Sequence, residues 1–180
     1  MTVRSCLTTL ATLSICVLSS GVRAATPPTA YQQVAATVGL QPAVLYAVAG
    51  AESTRPHYPH PWPWTANIRG QGHYYPTRQA LYQALRRELA NGNDDFDVGL
   101  MQISWHYHAR WFATLWQATD PRTNLTAGAR HLRTLVSRSG HLDTAIALYH
   151  VGSLSTASRI RRGQHYLARV QQQMEMGTAQ

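Results

Sequence analysis

Glu52 is the residue whose neighbours point most directly to chemistry. Leu45 and Val48 stand seven and four residues before it, and on a helix all three share one face. That face is apolar. Desolvation raises a carboxyl pKa, and a Glu kept protonated near neutral pH can donate a proton to a leaving oxygen. The competing reading turns Glu52 outward into water at a helix end, because fully buried acids are rare. Position alone leaves both readings open.

Two more stretches carry suitable groups. In Val98-Gly99-Leu100-Met101-Gln102-Ile103 the glycine lets backbone approach a ligand closely. Gln102 offers a donor and an acceptor, which suits sugar hydroxyls and acetamido groups. In Ala145-Ile146-Ala147-Leu148-Tyr149-His150-Val151-Gly152 the Tyr149 hydroxyl can face a carboxyl group. Taken alone, the first stretch also reads as a core strand or turn, and the second as a core-edge aromatic.

Composition narrows the chemistry. All 16 basic residues are Arg, which excludes a Schiff-base lysine, a P-loop lysine and a Ser–Lys dyad. The eight acids are Glu52, Glu88, Asp94, Asp95, Asp97, Asp120, Asp143 and Glu175. Both cysteines, Cys6 and Cys16, lie in the leader. The chain beyond it therefore has no disulfide framework, thiolate metal site or cysteine nucleophile. His57/His60 and His106/His108 have ligand-like spacing, but no carboxylate stands out as a companion to either pair, and H-E-x-x-H is absent. We expect no metal and no cofactor. The net charge of +8 suits an anionic polymer, yet the Arg residues are scattered and form no nucleic-acid motif.

The elements that must position these groups are mostly helical. Residues 1–24 read as a signal peptide: Arg4, an apolar stretch over 6–18, and Val22-Arg23-Ala24 before the cut. Export to the periplasm is the expected outcome, and the apolar stretch is short for a permanent membrane span. Residues 25–180 read as one domain. Helices are predicted over 31–38, closed by Gly39, and from Pro42 to about Ser53. A Pro- and aromatic-rich loop covers 56–64. Residues 64–68 and 73–75 flank a turn at 69–72 and read as a β-hairpin. Thr77 caps a helix that ends at Asn91-Gly92-Asn93. Further helices are predicted over 106–117, from Asp120-Pro121 through Val136, over 142–151 and over 164–174. The fold class is mainly α with one small hairpin.

In this order and spacing, Ala51-Glu52-Ser53, Gly99-Leu100-Met101-Gln102 and Ala147-Leu148-Tyr149 resemble the three motifs of the soluble lytic transglycosylase (SLT) domain, a goose-type-lysozyme-like group. Asp120-Pro121 through Leu132 resembles the helix between its second and third motifs. The insert Pro61-Trp62-Pro63-Trp64-Thr65-Ala66-Asn67-Ile68 is similar to a branch associated with conjugation and secretion systems. The resemblance covers roughly residues 30–170. It implies a lysozyme-like α+β fold with the hairpin beside a cleft, and peptidoglycan glycan strands as substrate. It implies that Glu52 is the acid/base, that Gln102 and the backbone near Met101 line the sugar cleft, and that Tyr149 and Ser53 steady the carboxyl or the sugar. Trp64 and Asn67, with Trp62 and Tyr75, would contact sugar or pack the hairpin. Two positions depart from the usual pattern: His150 stands where Asn is usual, and Thr54-Arg55-Pro56 follows Ser53.

Two other functions use the same residues. A hydrolytic muramidase needs a second carboxylate, ~5 Å away for retention or ~6.5–9.5 Å for inversion, and Asp97 is the candidate. A non-catalytic wall-binding component of an envelope-spanning apparatus would use the same aromatics without Glu52.

Overall fold

The computed structural model describes residues 26–178. The expected signal peptide, with Cys6 and Cys16, lies outside the described residues. Eight α-helices and a four-stranded antiparallel sheet follow in chain order. The expectation of a mainly α protein of lysozyme-like α+β class holds. Among the described residues no single helix is long and apolar enough to cross a bilayer.

Helices α1 (Thr29–Val38) and α2 (Pro42–Ser53) form where periodicity placed them. Proline at the start of α2 lacks only an amide hydrogen that has no helical partner there. Val44, Leu45, Ala47, Val48 and Ala49 are all buried, so α2 is a core helix nearly all round. It packs most closely against α8 (Ala157–Thr178). Helix α8 also lies against α7 (Leu142–Val151), which in turn packs on α6 (Pro121–Ser139).

The sheet runs in the order β2-β1-β3-β4. Strands β1 (Thr65–Ile68) and β2 (Gln71–Tyr74) are the expected hairpin, with a turn limited to Arg69-Gly70. Two further strands, which the single expected hairpin does not include, extend the sheet. They are β3 (Phe96–Val98), paired to β1, and β4 (Ile103–Ser104), paired to β3. Helix α3 (Arg78–Ala90) joins β2 to β3, and the Thr77 hydroxyl caps it by accepting the Ala80 amide at 3.1 Å.

Two helix boundaries differ from expectation. Residues 106–117 are not one helix but α4 (Trp105–His108), a 3-10 turn at Ala109–Trp111 and α5 (Leu115–Ala118). The break is a reciprocal cap: Thr114 Oγ1 accepts the Gln117 amide at 3.2 Å, and Gln117 Oε1 accepts the Ala113 amide at 2.9 Å. Phe112, extended before that cap, is buried. Helix α8 starts well before residue 164, with Thr156 Oγ1 accepting the Arg159 amide. Gly163 lies inside this helix; a Cβ there would sit 3.1 Å from Ala147 Cβ, so the glycine permits the close α7–α8 crossing.

Candidate active site

The last turn of α2 delivers Glu52. Its apolar companions Leu45 and Val48 are fully buried and fix the rotation of the helix. Glu52 itself is half-buried. Burial pushes its carboxyl up to about 7; the Tyr166 hydroxyl and the Arg169 charge pull it down, and the Asp97 charge pushes it up. The outward-facing alternative is therefore not what the fold adopts.

Tyr166 on α8 is the residue that sequence reasoning missed. It is 1 % exposed, and its hydroxyl makes no hydrogen bond of regular geometry. Yet Glu52 is the group it interacts with most strongly. The pair is a near-contact. Two groups lie against the Tyr166 ring: the His150 imidazole is parallel to it at 4.6 Å, and the Arg169 guanidinium carbon stands 5.3 Å from the ring centroid.

Tyr149 was expected to bond near Glu52 and hold it. Its hydroxyl instead donates to the Met101 carbonyl at 2.8 Å. It remains close enough for the Glu52 and Asp97 charges to help burial raise its own pKa. Ser53 was expected to orient the carboxyl or touch sugar. It is 1 % exposed and its hydroxyl donates to the Ala49 carbonyl at 2.8 Å, within its own helix.

The turn between β3 and β4 supplies Met101 and Gln102. Gly99 takes φ 79° there, and an added Cβ would stand 2.6 Å from Asn124 Cγ, so both conformation and space require glycine. Asn124, fully buried on α6, holds the turn. Its amide nitrogen donates to the carbonyls of Val98 (2.8 Å) and Ala118 (3.1 Å), and its oxygen accepts the Met101 amide (2.9 Å). The Met101 side chain is core, packed on Gly128; only its backbone belongs to the site. Gln102 adopts φ 44°, rare for a side-chain-bearing residue. Its Nε2 donates to the Gly99 carbonyl at 2.8 Å.

Asn67, Asp97 and Ser104 form a row across the sheet, paired Asn67 with Asp97 and Asp97 with Ser104, and paired residues share a face. Burial, then the Asp95 charge, push Asp97 up to about 6, against a lowering hydrogen bond from Ser104. Asn67 Oδ1 and Trp64 Nε1 are buried with no hydrogen-bond partner among the described residues. Trp64 meets Trp62 edge-on at 5.7 Å, and Trp62 Nε1 donates to the Tyr75 carbonyl at 2.8 Å. Those tryptophans pack the hairpin. His106, expected to lack a carboxylate companion, pairs with Asp94 at 3.0 Å. The pair is exposed.

Residues 29–172 match the Transglycosylase SLT domain. The chain belongs to that family. No curated protein and no solved structure matches it. Membership makes peptidoglycan the substrate class and lytic transglycosylation the family's activity. In this SLT domain a cavity of about 960 Å³, walled by Tyr31, Tyr46, Arg55, Tyr58 and Tyr74, lies outside the group of residues just described and excludes Glu52. Behind Tyr149 the rings of His131, Trp111 and His108 continue the site's wall, His131 standing 5.3 Å from Tyr149. Burial, then the charges of His108 and Arg138, hold His131 down to about 4.

Proposed function

We propose that the chain cleaves the β-1,4 bond between N-acetylmuramic acid and N-acetylglucosamine, with Glu52 as the single acid and then base. Protonated Glu52 donates its proton to the glycosidic oxygen as the bond from C1 breaks. The carboxylate left behind accepts the proton of the muramoyl C6 hydroxyl while that oxygen bonds to C1. The product carries a 1,6-anhydro ring, the acid is regenerated, and no water is consumed. What carries this reading is the position of Glu52 at the end of the buried α2 helix, where burial pushes its carboxyl up to about 7. A group half-protonated at neutral pH serves both steps without a large proton-transfer penalty.

The supporting cast follows from position. Tyr166 faces the carboxyl and stabilises its charged form in the second step. The Gly99–Gln102 turn, braced by Asn124 and Tyr149, offers Gln102 Oε1 and backbone groups to the sugar. The leader favours export to the periplasm, where this substrate lies, and the hairpin insert favours service to a conjugation or secretion apparatus.

A hydrolytic reading has one observation in its favour: the Asp97 charge reaches Glu52. A water held by Asp97 would attack C1 in place of the C6 hydroxyl. Mass spectrometry of products from purified peptidoglycan separates the two. Anhydro-muramoyl ends, absent with Glu52→Gln, support the transglycosylase. Reducing ends that take oxygen from labelled water, lost with Asp97→Asn, replace it with a muramidase. Binding without cleavage by the wild type would point to the wall-binding component.

A further inference from the structure

We propose that His150 is a positioning residue of this SLT domain: its imidazole, stacked flat on Tyr166, sets the plane in which the Tyr166 hydroxyl meets the Glu52 carboxyl. The inference rests on Glu52 being the acid/base. It concerns the position where this chain departs from the Asn usual in the family.

The geometry is specific. The two rings lie 4.6 Å apart at an interplanar angle of 4°. His150 ends α7 and Tyr166 lies mid-α8, on two helices in close contact. Tyr166 Oη has no hydrogen-bond partner of regular geometry, so the direction of that hydroxyl is set by ring packing. Turning the ring about Cβ–Cγ leaves Oη on its axis but swings the O–H bond, which lies in the ring plane, and a flat ring stacked on one face resists that turn. An Asn side chain has no flat ring to supply the same restraint.

Burial first, then Arg169 and Arg162 on α8, lower the His150 pKa. Tyr166 is the other α8 group against it. Around Glu52 the relevant groups are Tyr166 and Arg169 on α8, Asp97 on β3 and Tyr149 on α7. Of these, the Tyr166 hydroxyl is the largest influence pulling the Glu52 pKa down. A ring turned out of that plane aims its O–H bond away from the carboxyl, and Glu52 then binds its proton more tightly.

The test uses the exported form of the chain with Glu labelled by ¹³C at the carboxyl, and glycan strands as substrate. Glu52→Gln identifies the Glu52 signal. His150→Ala is expected to raise the Glu52 titration midpoint by roughly half a pH unit or more, the scale of one hydrogen bond to a carboxylate. It should lower kcat roughly tenfold with KM unchanged, below the hundredfold that a 1 Å misplacement can cause. His150→Phe, which keeps a flat ring, restores both. His150→Asn behaves like Ala and guards against an unfolded first variant. An unmoved midpoint and kcat in both His150→Ala and His150→Asn, with Glu52→Gln inactive, overturn the inference and leave the acid/base reading standing. An active Glu52→Gln overturns both.

Discussion

Asn124 Oδ1 accepts the Met101 amide at 2.9 Å, while its Nδ2 donates to the carbonyls of Val98 and Ala118. One buried amide on α6 therefore fixes the backbone of the turn that carries Gln102. Asn124→Leu removes all three bonds at once and sets an apolar side chain against the buried backbone groups they held. The expected loss is roughly 3–5 kcal/mol, read as a lower urea midpoint at unchanged m-value.

Gly99→Ala attacks the same joint from the other side. The new methyl meets Asn124 Cγ at 2.6 Å, on a backbone at φ 79°. Roughly 2–4 kcal/mol of destabilisation is expected, with activity falling in the fraction that stays folded. A thermal melt within 1 °C of wild type would show that the turn is softer than the packing implies.

Ser53→Ala tests a role the fold does not support. The hydroxyl is enclosed and bonded to Ala49 O. Replacing it removes one helical back-bond and should change kcat less than about threefold. Tyr166→Phe, by contrast, removes the hydroxyl facing Glu52, and the upper limb of the pH–rate profile should move to higher pH. Equal effects of the two substitutions on that limb would contradict the assignment.

How much of this was legible depends on what each residue needed in order to be recognised. Helices α1, α2, α6 and α7 carry their signals locally: a core face at helical spacing, and Asp120-Pro121 as a start. Glu52 was legible because its apolar face lies within its own helix. Tyr166 was not, since only the α2–α8 packing brings it to Glu52. Asn124 was visible as part of a family-like segment, but its three partners come from two other parts of the chain. The break inside 106–117 did have a local signal, Thr114 with Gln117 three residues on. The helical composition around it masked that cap. Burial of Ser53 and of the Met101 side chain is a tertiary outcome that motif matching cannot show.

The last prediction concerns pH and has to separate opposing groups. Folding raises the Glu52 pKa from 4.5 to about 7, so between those values the native state binds more protons than the unfolded chain. Stability from this group is present below pH 4.5 and is lost as pH rises toward 7, about 3 kcal/mol in all. Asp97, raised from 3.8 to about 6, has the same sign. His131 has the opposite one. Its pKa falls from 6.5 to about 4, so its contribution is present above pH 6.5 and is lost as pH drops toward 4. The wild-type melting curve sums these terms and can look flat. A difference isolates the acid: Tm of Glu52→Gln minus Tm of wild type should grow as pH is raised from 5 to 8, because only the wild type must bury a charge there. The same variant should be inactive throughout. In the wild type, kcat/KM should fall about tenfold per pH unit above 7 as the proton donor is lost. A Tm difference constant across that range would mean Glu52 is ionised in the fold at pH 5, and the proton needed for bond cleavage would have to come from another group.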